Sequence, residues 1–299
     1  MFNIVFFKKV AREFVPPIVH RLIKKILIPG IFPIKYQYKD FSILLPPDHN
    51  LPSFQKSFQR YDTFLPLLVK NIKLDEVIID VGANVGDTLA AMVEENSISS
   101  YFCIEPDDGF FELLTENIVR IKKQKPNLKV QAIKSLVGKN ISGISLEGVG
   151  GTKHAVVDKE NSIQSRALDE ILTDVKNIRI LKTDVDGFDY DVIDSSLSII
   201  QKHKPMIFLE CQFDFSYQKK GYVKTLLALE AEGYCDLTIF DNFGGVLIRT
   251  SDFKVVFQLM EYIWSQNIEK SSRTIYYYDI LLGQSKDTNF INKVLVSYQ

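Results

Sequence analysis

The residues of this 299-residue chain that could do chemistry follow its apolar segments. The first group is Asp80, Gly82, Asn84 and Gly86, which come directly after the apolar run 77–79. Continuous rather than alternating apolar residues are typical of a central parallel strand covered on both faces. The two glycines allow a tight turn and a close approach to a ligand, where the next helix presents unpaired N–H groups. The stretch therefore predicts a strand, a ligand-binding loop and a helix.

The spacing of the glycines limits the class of ligand that the loop could bind. Gly82-Ala-Asn-Val-Gly86 differs from the G-x-G-x-x-G pattern of dinucleotide-binding loops, which disfavours a dehydrogenase. Glu105 ends the next apolar run, 25 residues beyond Asp80. A carboxylate at that place can accept hydrogen bonds from both hydroxyls of a ribose. We therefore expect a nucleotide-like ligand with fewer phosphates than a dinucleotide.

Further acids follow two later apolar runs. Asp184 and Asp186 come just after Lys182, and Glu210 ends the run that includes Phe208. The carboxyl ends of parallel strands form the edge where open sheets bind ligands. Asp184 is the first candidate for a general base or for orienting an acceptor, Asp186 is the second, and Glu210 could bind acceptor hydroxyls. A structural role also stays open: Asp184 or Asp186 could cap the helix near 188 or pair with Lys182, and Glu210 could be a structural residue.

Two further chemistries remain open at the same residues and nearby. Asp184, Asp186 and Glu210 offer only hard oxygen ligands, which would suit magnesium or calcium rather than zinc. No ligand spacing requires such an ion. His154 follows a glycine-rich segment and could bind the substrate or act as a base, although a lone loop histidine more often faces solvent.

Alternating strand and helix patterns position these residues. The sequence predicts strands at 77–81, 100–105, 128–134, 178–184, 205–211, 234–241 and 274–282, and helices at 62–73, 87–95, 108–122, 165–175, 188–200, 219–232 and 253–267. Such alternation is typical of an α/β fold with parallel strands and crossover helices. The glycine-rich segment 139–160 predicts an irregular insertion or hairpin, and residues 29–66 predict a cover with one or two strands.

Composition excludes some classes of protein. The hydrophobic fraction of 46% and the charged fraction of 24% are ordinary for a globular protein, and the net charge of −1 argues against a general nucleic-acid binder. Cys103, Cys211 and Cys235 are far apart in the sequence, with no Cys-x-x-Cys or Cys/His cluster near them. We expect them to be small buried thiols in a reducing compartment rather than zinc ligands or disulfides.

The N-terminus is a basic appendage on an acidic body. Residues 1–39 contain eight Lys or Arg against Glu13 alone. Residues 16–28 begin with a proline pair and continue as a basic amphipathic helix. This helix could bind an anionic membrane surface, or it could pack on its own domain or on a dimer partner. The segment lacks the roughly 18 apolar residues of a membrane span and an obvious secretory cleavage site.

Taken together, the motifs resemble those of the FkbM-type methyltransferases that use S-adenosylmethionine. The resemblance spans residues 62–282 and rests on Asp80–Thr88, Ile104–Pro106, Leu181–Gly187, Glu210 and Tyr276–Leu282. It implies a seven-stranded Rossmann-like class I methyltransferase fold, α/β and mostly parallel, with an antiparallel last strand. We expect this domain to occupy residues 62–299, after a basic helical and β extension at 1–61.

The resemblance also implies roles for individual residues. The methionine half of the cofactor would contact Asp80, Gly82, Asn84 and Gly86, and its ribose would contact Glu105. This family commonly has Glu-Gly-x-Glu after the fourth-strand aspartate, whereas this chain has Asp186 and Asp189 there. Shorter acids could alter the acceptor pocket or a cation site.

The implied activity is methylation of a hydroxyl oxygen, often of a sugar in a polyketide or surface polysaccharide. We expect a cytoplasmic enzyme of polysaccharide biosynthesis, associated with the inner face of the membrane, whose partner is a saccharide or another hydroxyl-bearing acceptor. Alternatives are a methyltransferase for a non-sugar small molecule and a cofactor-binding scaffold without catalysis. Amino methylation of nucleic acid is disfavoured, because Asp184-Val-Asp-Gly replaces the expected Asn/Asp-Pro-Pro-aromatic motif.

Overall fold

The computed structural model describes residues 33–139, 144–147, 154–157, 164–269 and 274–298. The basic segment 16–28 lies outside the described residues, so its two interpretations stay predictions. None of the helices in the described part of the chain has both the length and the apolar character needed to cross a membrane.

Strands and helices alternate through most of the described chain. The strands are β1 (Ile34–Gln37), β2 (Ser42–Leu45), β3 (Val77–Val81), β4 (Ser100–Ile104), β5 (Lys129–Ile133), β6 (Ile144–Glu147), β7 (His154–Val157), β8 (Ile178–Thr183), β9 (Met206–Cys211), β10 (Tyr234–Asp241), β11 (Val246–Thr250) and β12 (Tyr278–Gln284). The helices are α1 (Leu51–Ser57), α2 (Phe64–Val69), α3 (Asp87–Glu95), α4 (Asp108–Gln124), α5 (Leu168–Ile171), α6 (Asp189–Asp194), α7 (Leu197–His203), α8 (Ser216–Ala231), α9 (Phe253–Glu269) and α10 (Thr288–Tyr298).

The central sheet has the order β11-β10-β12-β9-β8-β3-β4-β5. Strands β5, β4, β3, β8 and β9 pair in parallel, and β12 pairs antiparallel with both β9 and β10. This arrangement confirms the predicted class I methyltransferase fold, with its last strand inserted antiparallel. An eighth strand, β11, adds to the seven predicted ones, because the chain turns at Gly244 and pairs back on β10.

Several local predictions differ from the structure. The helix predicted at 188–200 is divided into α6 and α7, because the hydroxyls of Ser195 and Ser196 both donate to the carbonyl of Val192 and the first helix ends there. Cys103 and Cys211 are buried as expected, whereas Cys235 is exposed and that part of the prediction was wrong. Segment 139–160 contains the β6–β7 hairpin, one of the two predicted forms.

On one face of the sheet, the side chains change from apolar in the middle of the strands to charged near the strand ends. The side chains on that face are apolar in the middle of the strands, as at Ile180 of β8 and Phe208 of β9. Residues two positions further along each strand, toward the edge formed by the carboxyl ends of the parallel strands, share the same face, because side chains alternate along a strand. These residues are charged: Asp80 in β3, Lys182 in β8, Glu210 in β9 and, on the antiparallel strand, Asp279 in β12. The apolar core therefore ends in a row of ionisable groups.

The β1–β2 hairpin packs on the same face and is tied to the ligand loop. Ile43 and Leu45 belong to the core cluster that also contains Val85 of the loop. The buried amide of Asn117 in α4 accepts from Leu44 N at 2.7 Å and donates to Leu44 O at 2.9 Å and to Val85 O at 2.8 Å. One side chain thus joins the cover, α4 and the loop.

Candidate functional site

The loop after β3 is held against its neighbours by backbone contacts. The N–H groups of Gly82 and Ala83 both donate to Ile104 O at 3.0 Å. Gly82 has φ +76°, and a Cβ atom there would lie 1.9 Å from the carbonyl oxygen of Asp184. Asn84 and Gly86 also have positive φ, at 48° and 82°. Only glycine fits position 82, so the sequence sets how closely the β3 and β8 loops approach.

Glu105 lies beyond the end of β4 and is 5% exposed. Its carboxylate accepts from Asn84 N at 2.9 Å and from Asp107 N at 2.8 Å. Burial raises the pKa of Glu105 to about 7, although the two backbone hydrogen bonds oppose the shift. The predicted ribose-binding acid therefore also anchors the glycine loop, and each carboxylate oxygen can still accept another hydrogen bond.

A buried lysine connects the other predicted residues. Lys182 Nζ lies 2.8 Å from Asp80 Oδ1 and 3.4 Å from Asp184 Oδ2, and it donates to Gly82 O at 3.0 Å. Burial opposes the charge of Lys182, but the Asp80 and Asp184 carboxylates hold its pKa above the ordinary value. Sequence reasoning treated Lys182 only as a pairing partner. Lys182 and Asp184 are two positions apart, so their side chains point to the same face of the chain. This spacing was the sequence signal for a role of Lys182 in the site.

The three acids after β8 have different environments. The Asp184 side chain is 50% exposed, and its backbone N–H donates to Val81 O at 3.1 Å. Asp186 has φ +52°, and burial, followed by the charge of Asp184, raises its pKa to about 7. Asp189 is completely buried and accepts from the hydroxyls of Thr183 at 2.7 Å and Tyr222 at 3.1 Å. It holds the β8–α6 loop in place.

Glu210 and Asp279 form the far side of the site. The two residues are paired directly across β9 and β12. Glu210 is 6% exposed, and its Oε2 atom has no hydrogen-bond partner among the described residues. Burial, followed by the charge of Asp184, raises the pKa of both carboxyls well above the ordinary range. Sequence reasoning missed Asp279, whose position opposite Glu210 depends on strand pairing.

His154 cannot be placed in the site from the described structure. Its backbone begins β7, opposite Glu147 of β6. Its side chain lies outside the described part of the chain, so its substrate-binding role stays a prediction.

Two cavities meet at the edge of the sheet. The larger, of about 590 Å³, is lined by Glu210, Asp279 and aromatic residues from the cover and from β9, β10 and α10. The smaller cleft, of about 70 Å³, is lined by Glu105, Pro106, Phe110, Leu136 and Phe188, among others. The cavities share four lining residues: Gly82, Asn84, Asp184 and Asp186. The glycine loop and the β8 loop thus form the junction between an acid-flanked cleft and a wide chamber.

No group of three or more His, Cys, Asp or Glu side chains in the described ranges has a geometry that could hold a metal ion. The acids nevertheless give the junction its chemistry. A half-exposed carboxylate at Asp184 can orient a hydroxyl group or accept its proton, and the half-buried Asp186 beside it has a pKa raised to about 7 by desolvation and by the charge of Asp184.

Comparison with known proteins agrees with this geometry. Residues 80–235, just over half of the chain, match the model described as the Methyltransferase FkbM domain. A search of the curated proteins found no match.

The solved structures that resemble the chain include several methyltransferases. The FkbM methyltransferase of Methylobacillus flagellatus KT is 16% identical over 60% of this chain and 52% of its own, with a TM-score of 0.40. M. jannaschii TYW2 in complex with AdoMet is 10% identical over 86% of this chain and 87% of its own, with a TM-score of 0.42. A precorrin-6y C5,15-methyltransferase of Geobacter metallireducens GS-15 is 12% identical over 74% and 85%, with a TM-score of 0.38. The chain spans about half the length of the Methylobacillus protein.

Proposed function

Since the chain belongs to the FkbM methyltransferase family, we propose that it transfers a methyl group from S-adenosylmethionine to a hydroxyl oxygen of a saccharide. The observation that carries this proposal is the junction of the two cavities at Gly82, Asn84, Asp184 and Asp186. A cleft with a ribose-binding acid opens there into a chamber large enough for a sugar. The junction is therefore where a donor and an acceptor would meet.

The residues present fit S-adenosylmethionine. Glu105 can accept from ribose hydroxyls, and the small cleft beside it has apolar walls at Phe110, Leu136 and Phe188. Gly82 lets the backbone approach a ligand closely, whereas Asp80, predicted to contact the methionine half, lines neither cavity and is paired with Lys182. When bound, the cofactor would supply an electrophilic methyl group on a sulfonium.

The residues of the chain perform the remaining work. The chamber positions the acceptor, and alignment of reacting groups can lower a barrier by several kcal/mol. Asp184 is our candidate for receiving the hydroxyl proton, because it is the more exposed carboxylate at the junction. Asp186 is the second candidate, because a pKa of about 7 suits a base near neutral pH. The ammonium group of Lys182, 3.4 Å from Asp184 Oδ2, holds that carboxylate in position.

The first experiment separates a methyltransferase from a dehydrogenase and from a protein that binds no nucleotide. Calorimetry should show binding of S-adenosylmethionine and S-adenosylhomocysteine but not of NAD. Release of S-adenosylhomocysteine is then followed with a panel of saccharides. Absence of binding by both sulfur nucleotides would contradict the proposal. Binding without turnover on any hydroxyl-bearing acceptor would favour a cofactor-binding scaffold.

The second experiment assigns the base. Asp184→Asn should lower turnover by roughly 10²- to 10⁴-fold and leave S-adenosylhomocysteine affinity largely intact. Asp174→Asn makes the same chemical change at an exposed position and serves as the matched control. Normal turnover in Asp184→Asn would remove this residue from the mechanism. The same comparison with Asp186→Asn ranks the two candidates.

We further propose that the enzyme acts in the cytoplasm on a bacterial surface polysaccharide or glycoconjugate, at the inner face of the membrane. The basic amphipathic pattern of residues 16–28 supports this location. The full-length chain should sediment with anionic liposomes at low salt, and failure to do so would oppose membrane binding. Surface glycans from cells with and without the gene should differ by the mass of one methyl group.

A further inference from the structure

Three residues form a row across neighbouring strands on the wall of the large cavity. Asp279 in β12 pairs with Glu210 of β9 on one side and with Phe240 of β10 on the other. Side chains directly opposite each other have Cβ atoms about 4.5–5.5 Å apart, and like charges in that relation are destabilising. A buried carboxylate, Glu210, beside a half-buried one, Asp279, thus carries a cost that the fold itself does not require.

Within the described chain, the only counter-charge acts at a distance: Lys182 lowers the pKa of Asp279, but burial and the neighbouring acids raise it more. Glu210 and Asp279 form no ion pair with a basic side chain among the described residues. The bases that line the cavity are engaged elsewhere: Lys182 with Asp80 at 2.8 Å, His49 near Asp87 at 3.7 Å, and Arg60 over the ring of Tyr298 at 5.6 Å. Glu210 Oε2, in a side chain that is 94% buried, has no hydrogen-bond donor there. The pair lacks a cation that a ligand could supply.

The surrounding surface suits an organic cation. Phe208 and Phe240 line the cavity on the strands that flank Asp279, and Tyr277 lines it two residues earlier in the chain. The faces of aromatic rings carry negative potential and attract an ammonium group. In all, seven carboxylate residues line this cavity: Asp62, Asp87, Asp184, Asp186, Glu210, Asp214 and Asp279. Such a surface repels phosphates and carboxylates and attracts a positive ligand.

The position of the pair assigns it to the acceptor rather than to the methyl donor. Glu105 follows β4, whereas Glu210 and Asp279 lie on β9 and β12, on the other side of β3 and β8 in the sheet order. Asp184 follows β8, between the two groups. Glu105 lines only the small cleft, and the Glu210–Asp279 pair lines only the large cavity. A molecule held by the pair would present its hydroxyl groups toward Asp184.

We propose that Glu210 and Asp279 bind a protonated primary amine of the acceptor, and that the acceptor is accordingly an amino sugar with an unacylated amino group. This inference rests on the proposed function and specifies its substrate class. The ammonium group is the anchor, and a hydroxyl of the same sugar is the nucleophile. The ammonium displaces any proton that the two acids hold in the empty site, and each carboxylate then accepts a charge-assisted hydrogen bond from it.

The test compares sugars that differ at one group. Affinities of the wild-type full-length chain, saturated with S-adenosylhomocysteine, are measured by ligand-observed NMR for D-glucosamine, D-glucose, N-acetyl-D-glucosamine and glucose 1-phosphate. Glucosamine should bind at least about tenfold more tightly than glucose and N-acetylglucosamine, because only its amine is charged. Glucose 1-phosphate should bind most weakly. Equal affinity of glucosamine and glucose, including no binding of either, overturns the inference.

Substitutions locate the preference. Glu210→Gln and Asp279→Asn should each reduce the advantage of glucosamine over glucose, and the double variant should abolish it. Glu230→Gln and Asp174→Asn, the same changes at exposed positions, should keep it. An advantage that persists in the double variant overturns the assignment to this pair. The wild-type comparison decides the substrate class even if the double variant does not fold.

The outcomes also separate this inference from the proposed function. If the wild-type chain bound neither S-adenosylmethionine nor S-adenosylhomocysteine, the methyltransferase proposal itself would be refuted. Intact binding and turnover with equal use of glucose and glucosamine would refute only the amino-sugar acceptor.

Discussion

Replacing Lys182 with methionine tests whether this lysine neutralises the buried carboxylate of Asp80. Methionine keeps most of the volume of the side chain and removes the charge. The change leaves Asp80, which is completely buried, without its ion pair at 2.8 Å, and it leaves Gly82 O without a hydrogen bond of 3.0 Å. Asp184 also loses its neighbouring cation.

The expected cost follows from burial. Removing one partner of a buried ion pair typically costs about 3–5 kcal/mol, because the remaining charge is left in a poorly polarisable interior. For a domain of this size about 1 kcal/mol corresponds to roughly 2–4 °C, so the melting temperature should fall by about 6–20 °C. That is a large part of the roughly 5–15 kcal/mol that holds a typical protein folded.

The assay is thermal unfolding of the wild type and two variants at two pH values. Lys182→Met should be the least stable, and Lys182→Met combined with Asp80→Asn should regain much of the loss, because the orphaned charge is gone. Burial already raises the pKa of Asp80 in the folded protein. Loss of Lys182 raises it further, so the folded state takes up a proton more readily than the unfolded state, and the deficit of Lys182→Met should shrink as the pH falls.

Three results would refute this reasoning. A melting temperature of Lys182→Met within about 3 °C of the wild type would mean that the ion pair contributes little. A double variant no more stable than Lys182→Met would show that Asp80 is not the orphaned charge. A deficit that grows as the pH falls would contradict the sign of the Asp80 titration.

Further predictions concern the loop, the ribose acid and the buried tyrosine. Gly82→Ala places a methyl group 1.9 Å from a carbonyl oxygen of the β8 loop, so calorimetry should show S-adenosylhomocysteine affinity lowered at least about tenfold; unchanged affinity would contradict the close approach. Because the pKa of Glu105 is about 7, wild-type affinity should weaken as the pH falls through neutrality and the carboxylate is protonated. Glu105→Gln should bind S-adenosylhomocysteine weakly and with little pH dependence. A wild-type affinity that does not change with pH over this range would oppose the ribose-binding role of Glu105. Tyr222→Phe removes the hydrogen bond to Asp189 and should lower the unfolding free energy by about 1–2 kcal/mol in urea, whereas Tyr262→Phe, at an exposed tyrosine, should not.

The sequence by itself determined the elements whose causes are local. The apolar run 77–79 and the positive φ required at Gly82 and Gly86 depend on neighbours within a few residues, so they predicted β3, the ligand loop and α3. Glu105 could be assigned in advance because it ends the next predicted strand, and its contact with Asn84 N follows from the parallel pairing of β3 and β4. Local periodicity also indicated the alternation that produces the sheet.

Only the tertiary structure decided which ionisable groups became partners. Asp279 is 69 residues beyond Glu210, and it meets Glu210 because β12 is inserted antiparallel between β9 and β10. Lys182 pairs with Asp80 from a strand about 100 residues away, and Asp189 is buried beneath Tyr222 of α8 rather than facing the cavity. Strand register and burial depend on the whole packed sheet, and they set the pKa and the counter-charge of each acid. The sequence thus identified most of these acids but not Asp279, and the fold determined which of them hold the structure together and which face the cavities.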